Sequence, residues 1–216
     1  MEFKMETFLF DFDNTLANSG EASIVSVQKV FADAAKPVPT RDMIFSEMGL
    51  PIETSFPMWA NLDEHDIQLQ KMYADFRDYY SAIEDQNTKL FPGIKEVLAD
   101  LKDAGHSLYV VSSKGSASLE RNLDKLAISQ YFTDLIGSDL VDNYKPAPDG
   151  ILKLVDKYQL DKQQAVMIGD AVFDLQMGKR AGVNTAAAGW GAYDIHAIKA
   201  ERPTYLLDQP QQLLDI

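Results

Sequence analysis

Short apolar runs alternate with longer amphipathic stretches along most of the chain. Runs with helical spacing lie between the apolar runs, and one of them ends at Gly105, as helices often do. Strands buried by helices on both faces are typical of parallel sheets, so the pattern predicts an α/β fold with a Rossmann-like parallel sheet core. The expected strands are Thr7–Phe10, Ser107–Val111, Asp134–Gly137, Ala165–Ile168, Asn184–Ala188 and a short last strand, Thr204–Leu207. The expected core helices are Pro92–Ala104, Ser116–Leu126, Pro148–Tyr158 and Val172–Ala181.

Residues 17–89 interrupt this alternation. One helix is predicted from Glu21 to Ala35, and a second, longer helix carries apolar residues at three- and four-residue steps, which line one face. No convincing strand is expected here. We therefore predict two units, a core formed by residues 1–16 and 90–216 and an inserted all-helical module formed by residues 17–89. The apolar face of the longer helix, expected to be core, comprises Leu69, Met72, Tyr73, Phe76, Tyr80 and Ile83.

Composition narrows the possible partners. The 216-residue chain is 46% hydrophobic and carries a net charge of −13, which disfavours nucleic acid and acidic membrane surfaces as partners. It has no cysteine, and its three histidines are far apart, which argues against thiolate or histidine-rich metal sites. The start of the chain does not resemble an export signal, so a cytoplasmic enzyme is expected, as a monomer or a homodimer.

Polar residues follow four of the predicted strands. Because ligands bind beyond the carboxyl ends of strands in open α/β sheets, we expect these side chains to meet at one edge. They are Asp11 and Asp13 after the first strand, Ser112 after the second, Lys145 after the third, and Asp170 with Asp174 after the fourth.

These residue types suit phosphoryl transfer. A carboxylate can attack phosphorus and form a covalent intermediate, and a second carboxyl can exchange protons with the leaving group and with water. Crowded carboxylates need a cation among them, and Mg²⁺ prefers oxygen ligands and bridges to phosphate. A lysine and a hydroxyl can hold the oxygens of the transferred group.

The motifs resemble those of the haloacid dehalogenase superfamily, in order and spacing and over nearly the whole chain. Further matches point to the phosphoglycolate phosphatase-like branch, whose helical cap follows the first motif. The matching segments are Asp11-Phe12-Asp13-Asn14-Thr15-Leu16, Ser112, Lys145-Pro146-Ala147-Pro148-Asp149, Gly169-Asp170 with Asp174, Phe91-Pro92-Gly93, and Gly178-Lys179-Arg180-Ala181-Gly182-Val183 with Trp190-Gly191.

The resemblance implies a Mg²⁺-dependent phosphatase acting on a small phosphorylated metabolite, such as a phosphoglycolate-like ester or a sugar phosphate. Asp11 would be the nucleophile and Asp13 the acid/base. Mg²⁺ would be bound by Asp11, the Asp13 backbone carbonyl and Asp170, with Asp174 nearby, while Ser112 and Lys145 would hold the phosphoryl group. Asn14 stands where glycine is frequent, and asparagine tolerates the left-handed conformation that such a turn needs.

Substrate contacts are harder to assign. Besides Ser112 and Lys145, we expect Ser113, which adjoins Ser112, and Gly49 to contact the substrate. Gly49 lies in a Gly-Leu-Pro segment that looks like the substrate-facing loop of related enzymes, although an ordinary turn explains it equally well. Packing or surface charge is the preferred interpretation for Trp59, Arg41 and Arg77, and a surface or loop position for Asp139 and Asp142.

Four other functions compete with this prediction. A dehalogenase would not be expected to keep Asp13, and a sugar-phosphate mutase would usually carry a histidine between Asn18 and Val30, where this chain has none. A non-catalytic phosphate-binding protein has no need for the complete set of residues. Inorganic pyrophosphatase activity stays open, because it requires the same site with a different fit to the cap.

Overall fold

A six-stranded parallel sheet forms the centre of the molecule. The computed structural model describes residues 4–216, and the side chains of all of these except 85–87. The predicted core therefore begins three residues before the described part. The strand order is β5-β4-β1-β6-β7-β8, and every adjacent pair is parallel, which confirms the predicted fold class. The strands are β1 (Thr7–Phe10), β4 (Ser107–Val111), β5 (Asp134–Ile136), β6 (Ala165–Gly169), β7 (Asn184–Ala188) and β8 (Tyr205–Leu207).

Alternate residues of the strands supply two separate apolar layers. Phe8 and Phe10 of β1 belong to one buried cluster, whereas Leu9 between them belongs to the other. Helices cover both layers, so β1 is buried along its whole length. The first layer packs on α5 (Ile94–Asp103) and α6 (Ser116–Lys125), and the second on α7 (Asp149–Tyr158) and α8 (Val172–Ala181).

Shorter elements complete the core. Helix α9 (Ile195–Ala200) packs through Ile198 against Leu175 of α8 and Ala187 of β7. Short 3₁₀ helices are formed by Ser129–Tyr131, Ser138–Leu140, Lys162–Gln164 and Pro210–Asp215.

Four helices between β1 and α5 bury an apolar cluster of their own. Phe31, Phe56 and Met72 are among its members and are almost completely inaccessible to solvent. We call this part of the chain the helical segment. Its helices are α1 (Gly20–Asp33), α2 (Arg41–Ser46), α3 (Ile52–Ala60) and α4 (Ile67–Asn87).

The expectation that residues 17–89 contain no strand is wrong in one detail. Ala17–Asn18 (β2) pairs in antiparallel fashion with Lys89–Leu90 (β3), so the two chain connections to the helical segment form a two-stranded ribbon. Two-residue strands carry no detectable periodicity, which is why the pattern gave no signal for them. The ribbon holds both connections side by side at the edge of the core.

Candidate active site

The predicted polar residues do meet at the carboxyl edge of the sheet. Carboxylate oxygens of Asp11, Asp170 and Asp174 all lie within 4.8 Å of one another, and all three residues are buried. Asp11 follows β1, Asp170 follows β6, and Asp174 lies in the first turn of α8. Ser112 follows β4, and Lys145 reaches the cluster from the loop before α7. We call Asp11, Ser112, Lys145, Asp170 and Asp174 the polar floor.

Lys145 is the cation at the centre of this floor. Its Nζ lies 2.6 Å from Asp11 Oδ1 and 2.8 Å from Asp174 Oδ1, and its side chain is only 4% exposed. Burial alone would lower the pKa of Lys145, but Asp11 and Asp174 hold that pKa above its ordinary value. The lysine therefore remains charged and orients both carboxylates.

Burial and the neighbouring carboxylates raise the pKa values of Asp11 and Asp170. Burial raises the pKa of Asp11 to about 7, Lys145 opposes that rise, and Asp174 and Asp13 add to it. Burial, followed by Asp174 and Asp11, raises the pKa of Asp170 well above its ordinary value, although the hydroxyl of Thr15 donates to Asp170 Oδ1 at 3.1 Å. The Lys145 ammonium group thus contacts two of the three carboxylates, and its single positive charge does not offset three negative charges.

A glycine makes the close packing of the fourth motif possible. A Cβ atom at Gly169 would lie 2.3 Å from the side chain of Asp174, so any other residue would displace that carboxylate. Asp174 is completely buried, and its Oδ2 accepts from the Ala171 backbone N–H at 3.1 Å. Asp174 therefore lies both in the first turn of α8 and beside the other buried carboxylates.

The donor set of the floor fits a hard divalent cation. Oxygen atoms of three buried carboxylates face one another within 4.8 Å, and such ligands are the ones that Mg²⁺ prefers. A dication would offset the negative charge left after Lys145 has been paired. Asp11, Asp170 and Asp174 are accordingly the side chains that could hold it.

The first-motif turn has the geometry that its sequence required. Asn14 adopts a left-handed conformation with φ of 57°, and its Oδ1 accepts from the Gly20 backbone N–H at 3.1 Å. The indole N–H of Trp190 donates to the Thr15 carbonyl at 2.9 Å, so the Trp-Gly pair singled out in the sequence packs against this turn. Both contacts fix the direction in which Asp11 and Asp13 leave the strand.

Asp13 lies at the boundary between the floor and the helical segment. Its side chain is 26% exposed, and its Oδ1 accepts from Ser19 Oγ at 2.6 Å and from Tyr80 OH at 3.3 Å. Lys114 Nζ lies 3.4 Å from the same oxygen. Tyr80 comes from the long helix α4, whose apolar face was expected to be core. The contact with Asp13 shows that this face is not entirely core.

Ser113 and Gly49 contact each other directly. The Ser113 hydroxyl donates to the Gly49 carbonyl at 2.5 Å, which joins the loop after β4 to the loop before α3. Gly49 has a φ of 103°, a conformation that favours glycine. Both residues border the same cavity as Asp11 and Ser112, so their predicted proximity to substrate stays a prediction that this geometry supports.

A buried charge network beside Asp13 escaped the sequence analysis. Lys114 donates to Glu84 Oε1 at 2.6 Å and to Tyr80 OH at 3.1 Å, and Asn122 Nδ2 lies 2.5 Å from the same Glu84 oxygen. Burial would lower the pKa of Lys114, but Asp13, Tyr80 and Glu84 together raise it. The network joins α4 to the loop after β4 and to α6. The sequence feature that could have indicated this network is the four-residue spacing of Phe76, Tyr80 and Glu84, which places them on one face of α4.

A cavity of about 410 Å³ lies between the floor and the helical segment. Asp11, Asp13 and Ser112 line one end, while Trp59 and Arg77 line other parts of it. The preferred interpretation of Trp59 and Arg77 as packing or surface residues is therefore incomplete. Arg41 instead forms an exposed ion pair with Glu21 at 2.7 Å.

Asp139, expected to be a surface or loop acid, accepts hydrogen bonds from Ser116 N and Oγ at 2.7 Å and also lines the cavity.

The fold and this site together define a family of hydrolases. The model of the haloacid dehalogenase-like hydrolase family matches residues 8–188, and the chain belongs to that family. The motifs noted in the sequence are thus explained by membership of this family.

Relatives of the chain are phosphohydrolases by name. "Probable phosphatase IndB" of Dickeya dadantii is 30% identical over 93% of this chain and 88% of its own length. Pyrophosphatase PpaX of Halalkalibacterium halodurans is 28% identical over 99% of this chain and 97% of its own. The crystal structure of a predicted phosphoglycolate phosphatase from Haemophilus somnus superposes with a TM-score of 0.88 at 22% identity, covering 100% of this chain and 99% of that one, which demonstrates the shared fold.

Within residues 4–216, no helix combines the length and the apolar character that crossing a bilayer requires.

Proposed function

We propose that this hydrolase is a Mg²⁺-dependent phosphatase that hydrolyses small phosphate monoesters through a phospho-aspartate on Asp11. The observation that carries the proposal is the polar floor, in which a buried lysine lies 2.6 Å from Asp11 among carboxylates grouped within 4.8 Å. The substrate would be a small phosphorylated metabolite, held where the cavity meets this floor.

Asp11, the Asp13 backbone carbonyl and Asp170 would hold the cation, with Asp174 in support. When bound, Mg²⁺ would screen the phosphate dianion from the Asp11 carboxylate and polarise the phosphoryl oxygens. Lys145, which contacts both Asp11 and Asp174, would orient the nucleophile and place positive charge beside the transferred group. The Ser112 hydroxyl would contribute a hydrogen bond to that group.

The reaction would proceed in two displacements. An Asp11 oxygen attacks phosphorus, the P–O bond to the leaving group breaks, and Asp13 donates a proton to the departing alcohol oxygen. Asp13 then accepts a proton from water as that water attacks the phospho-aspartate, which releases inorganic phosphate and restores Asp11. The partial exposure of Asp13, in contrast to the burial of Asp11, suits a residue that exchanges protons at the cavity.

Residues 17–89 would act as a cap domain over a core of residues 1–16 and 90–216. The separate apolar cluster of the helical segment and the narrow ribbon Ala17–Asn18 with Lys89–Leu90 support this division. A hinge at the ribbon would allow the cap to open for substrate and close to exclude water.

Pyrophosphate hydrolysis is the second candidate. It is favoured by the names of relatives such as pyrophosphatase PpaX, which align with almost the whole chain. The same floor would serve, with phosphate in place of an alcohol as the leaving group.

The test is turnover of 4-nitrophenyl phosphate by the purified chain. We expect phosphate release with Mg²⁺, loss of release when a chelator is added, and recovery when excess Mg²⁺ is restored. Asp142→Asn, which changes an exposed acid near Lys145, should behave like the unaltered protein. Full turnover in chelator would refute the metal assignment, and absence of turnover with Mg²⁺ would refute the phosphatase.

A further inference from the structure

A continuous row of aromatic rings leads away from Asp13 into the helical segment. Tyr80 OH lies 3.3 Å from Asp13 Oδ1, and the ring of Tyr80 stacks on Phe76 with centroids 5.5 Å apart. Phe76 meets Phe56 edge to face at 5.7 Å, and Phe56 lies 6.3 Å from Trp59. All four rings line the cavity. We call Tyr80, Phe76, Phe56 and Trp59 the aromatic wall.

Aliphatic side chains extend the apolar surface around this wall. They come from helices α1 and α2, from the loop before α3 and from the first residue of α3, and they border the same cavity. The side of the cavity that the helical segment forms is therefore largely apolar. The residues are Val27, Ile44, Met48, Leu50 and Ile52.

The cationic side chains along the described lining already have carboxylate partners. Lys114 and Arg121 lie 2.6 and 3.5 Å from oxygens of Glu84, and Arg77 lies 2.5 Å from Glu53 Oε1. Glu47 and Asp139 also line the cavity. A second anionic group on the substrate would thus meet paired cations and additional carboxylates, an arrangement that disfavours it.

We infer that the leaving group of the substrate is an uncharged alcohol with an apolar aliphatic or aromatic body that lies along the aromatic wall. This inference rests on the proposed function, because it assigns the phosphate to the polar floor and the departing oxygen to Asp13. A cavity of about 410 Å³ accommodates a body much larger than a second phosphate. Pyrophosphate and phosphoglycolate, whose leaving groups are anionic, would accordingly be poor substrates, so this inference opposes pyrophosphate hydrolysis as the second candidate function.

The direct test uses n-alkyl phosphates from methyl to hexyl, together with pyrophosphate and phosphoglycolate. Burial of each methylene against an apolar wall should raise kcat/KM about fourfold until the wall is covered, because leaving-group chemistry changes little beyond ethyl. Both anionic substrates should fall below butyl phosphate. A flat alkyl series, or pyrophosphate turned over faster than hexyl phosphate, would overturn the inference and leave the phosphatase assignment standing.

Two alanine variants on helix α4 test whether the aromatic wall causes the dependence of kcat/KM on chain length. Phe76→Ala removes a ring that lines the cavity, whereas Tyr79→Ala removes a similarly half-buried ring that contacts the same helical cluster but does not line the cavity. Phe76→Ala should reduce the hexyl-to-methyl ratio of kcat/KM at least tenfold, Phe76→Leu should restore most of it, and Tyr79→Ala should leave it unchanged. Equal ratios in the two alanine variants would contradict the assignment of the wall.

Binding of alkylphosphonates to the unaltered protein decides the inference independently of turnover. Calorimetry with Mg²⁺ present should show hexylphosphonate binding at least tenfold more tightly than methylphosphonate. Equal affinities would overturn the inference. Tighter hexyl binding without any turnover of esters would support the inference about the wall and refute the proposed catalysis instead.

Discussion

The polar floor and the aromatic wall border one cavity but are built in different ways. On the floor, Lys145, Asp11 and Asp174 hold one another through contacts of 2.6 and 2.8 Å, in a region that solvent scarcely reaches. On the wall, rings 5.5–6.3 Å apart contact one another through their surfaces. Directional contacts fix the few atoms that react, whereas non-directional apolar contacts accept any body of suitable shape. We therefore attribute chemistry to the floor and selection to the wall.

Asp13 lies between the floor and the wall. Replacing Asp11 or Asp13 should give the largest effects on turnover, and the two replacements should impair different steps. Asp11→Asn should abolish turnover, because an amide is a very poor nucleophile. Asp13→Asn keeps an Oδ1 that can accept from Ser19 and Tyr80, so the local structure should survive while proton transfer is lost. The rate with esters of poor leaving groups should fall by about 10²–10⁴-fold.

Rapid-quench mass spectrometry with an aryl phosphate distinguishes the two variants. An activated leaving group departs with less help, but hydrolysis of the intermediate still needs a base, so phosphate should accumulate on Asp11 in Asp13→Asn. No phosphopeptide should form in Asp11→Asn, and Asp142→Asn serves as the matched control. Phosphate on another residue, or an active Asp11→Asn enzyme, would refute the proposed mechanism.

The junction between floor and wall also contains the Lys114–Glu84 ion pair, whose side chains are 9% and 3% exposed. Glu84→Ala would leave the Lys114 ammonium buried with Asp13 3.4 Å away and would remove the acceptor of Asn122. Loss of one partner from a buried pair is strongly destabilising, so we expect the free energy of unfolding to fall by about 3 kcal/mol.

Urea denaturation followed by circular dichroism measures this loss. Glu120→Ala, which removes an exposed acid from α6, should change the unfolding free energy by less than about 0.5 kcal/mol. Equal stabilities for the two alanine variants would show that the buried pair does not connect α4 to the core.

The smallest expected effect concerns Gly49, where the helical segment approaches the floor. Its φ of 103° is unfavourable for alanine, and an added Cβ would lie 3.2 Å from Ala171 Cβ, next to Asp170. Gly105 has a similar φ of 89°, but a Cβ there would meet nothing within 4 Å. Both Gly→Ala changes should cost about 1 kcal/mol of stability, and only Gly49→Ala should also lower kcat. Unchanged kinetics in Gly49→Ala would mean that this contact does not position the floor.

Much of the fold and of the floor could be predicted from the sequence, because local rules act on contiguous residues. Four-residue apolar runs such as Thr7–Phe10 become buried strands, and residues that follow parallel strands reach the same sheet edge whatever their separation in sequence. The left-handed conformation of Asn14 could likewise be predicted, because asparagine tolerates this conformation better than most residues. These features depend on chain direction, periodicity and backbone sterics, which a linear sequence contains.

Other features were decided only by tertiary structure. The ribbon of Ala17–Asn18 with Lys89–Leu90 is too short to have a period, and it exists because the ends of the helical segment meet. Tyr80 and Phe76 belong to the same apolar face of α4 as Leu69 and Met72, at three- and four-residue steps, yet the first two line the cavity and the others are buried in the core. A one-dimensional pattern shows which face of a helix is apolar. What that face contacts depends on how separate elements pack. The sequence therefore determined which polar side chains gather at the sheet edge, and the packing of α4 beside Asp13 and Lys114 determined the shape of the cavity next to them.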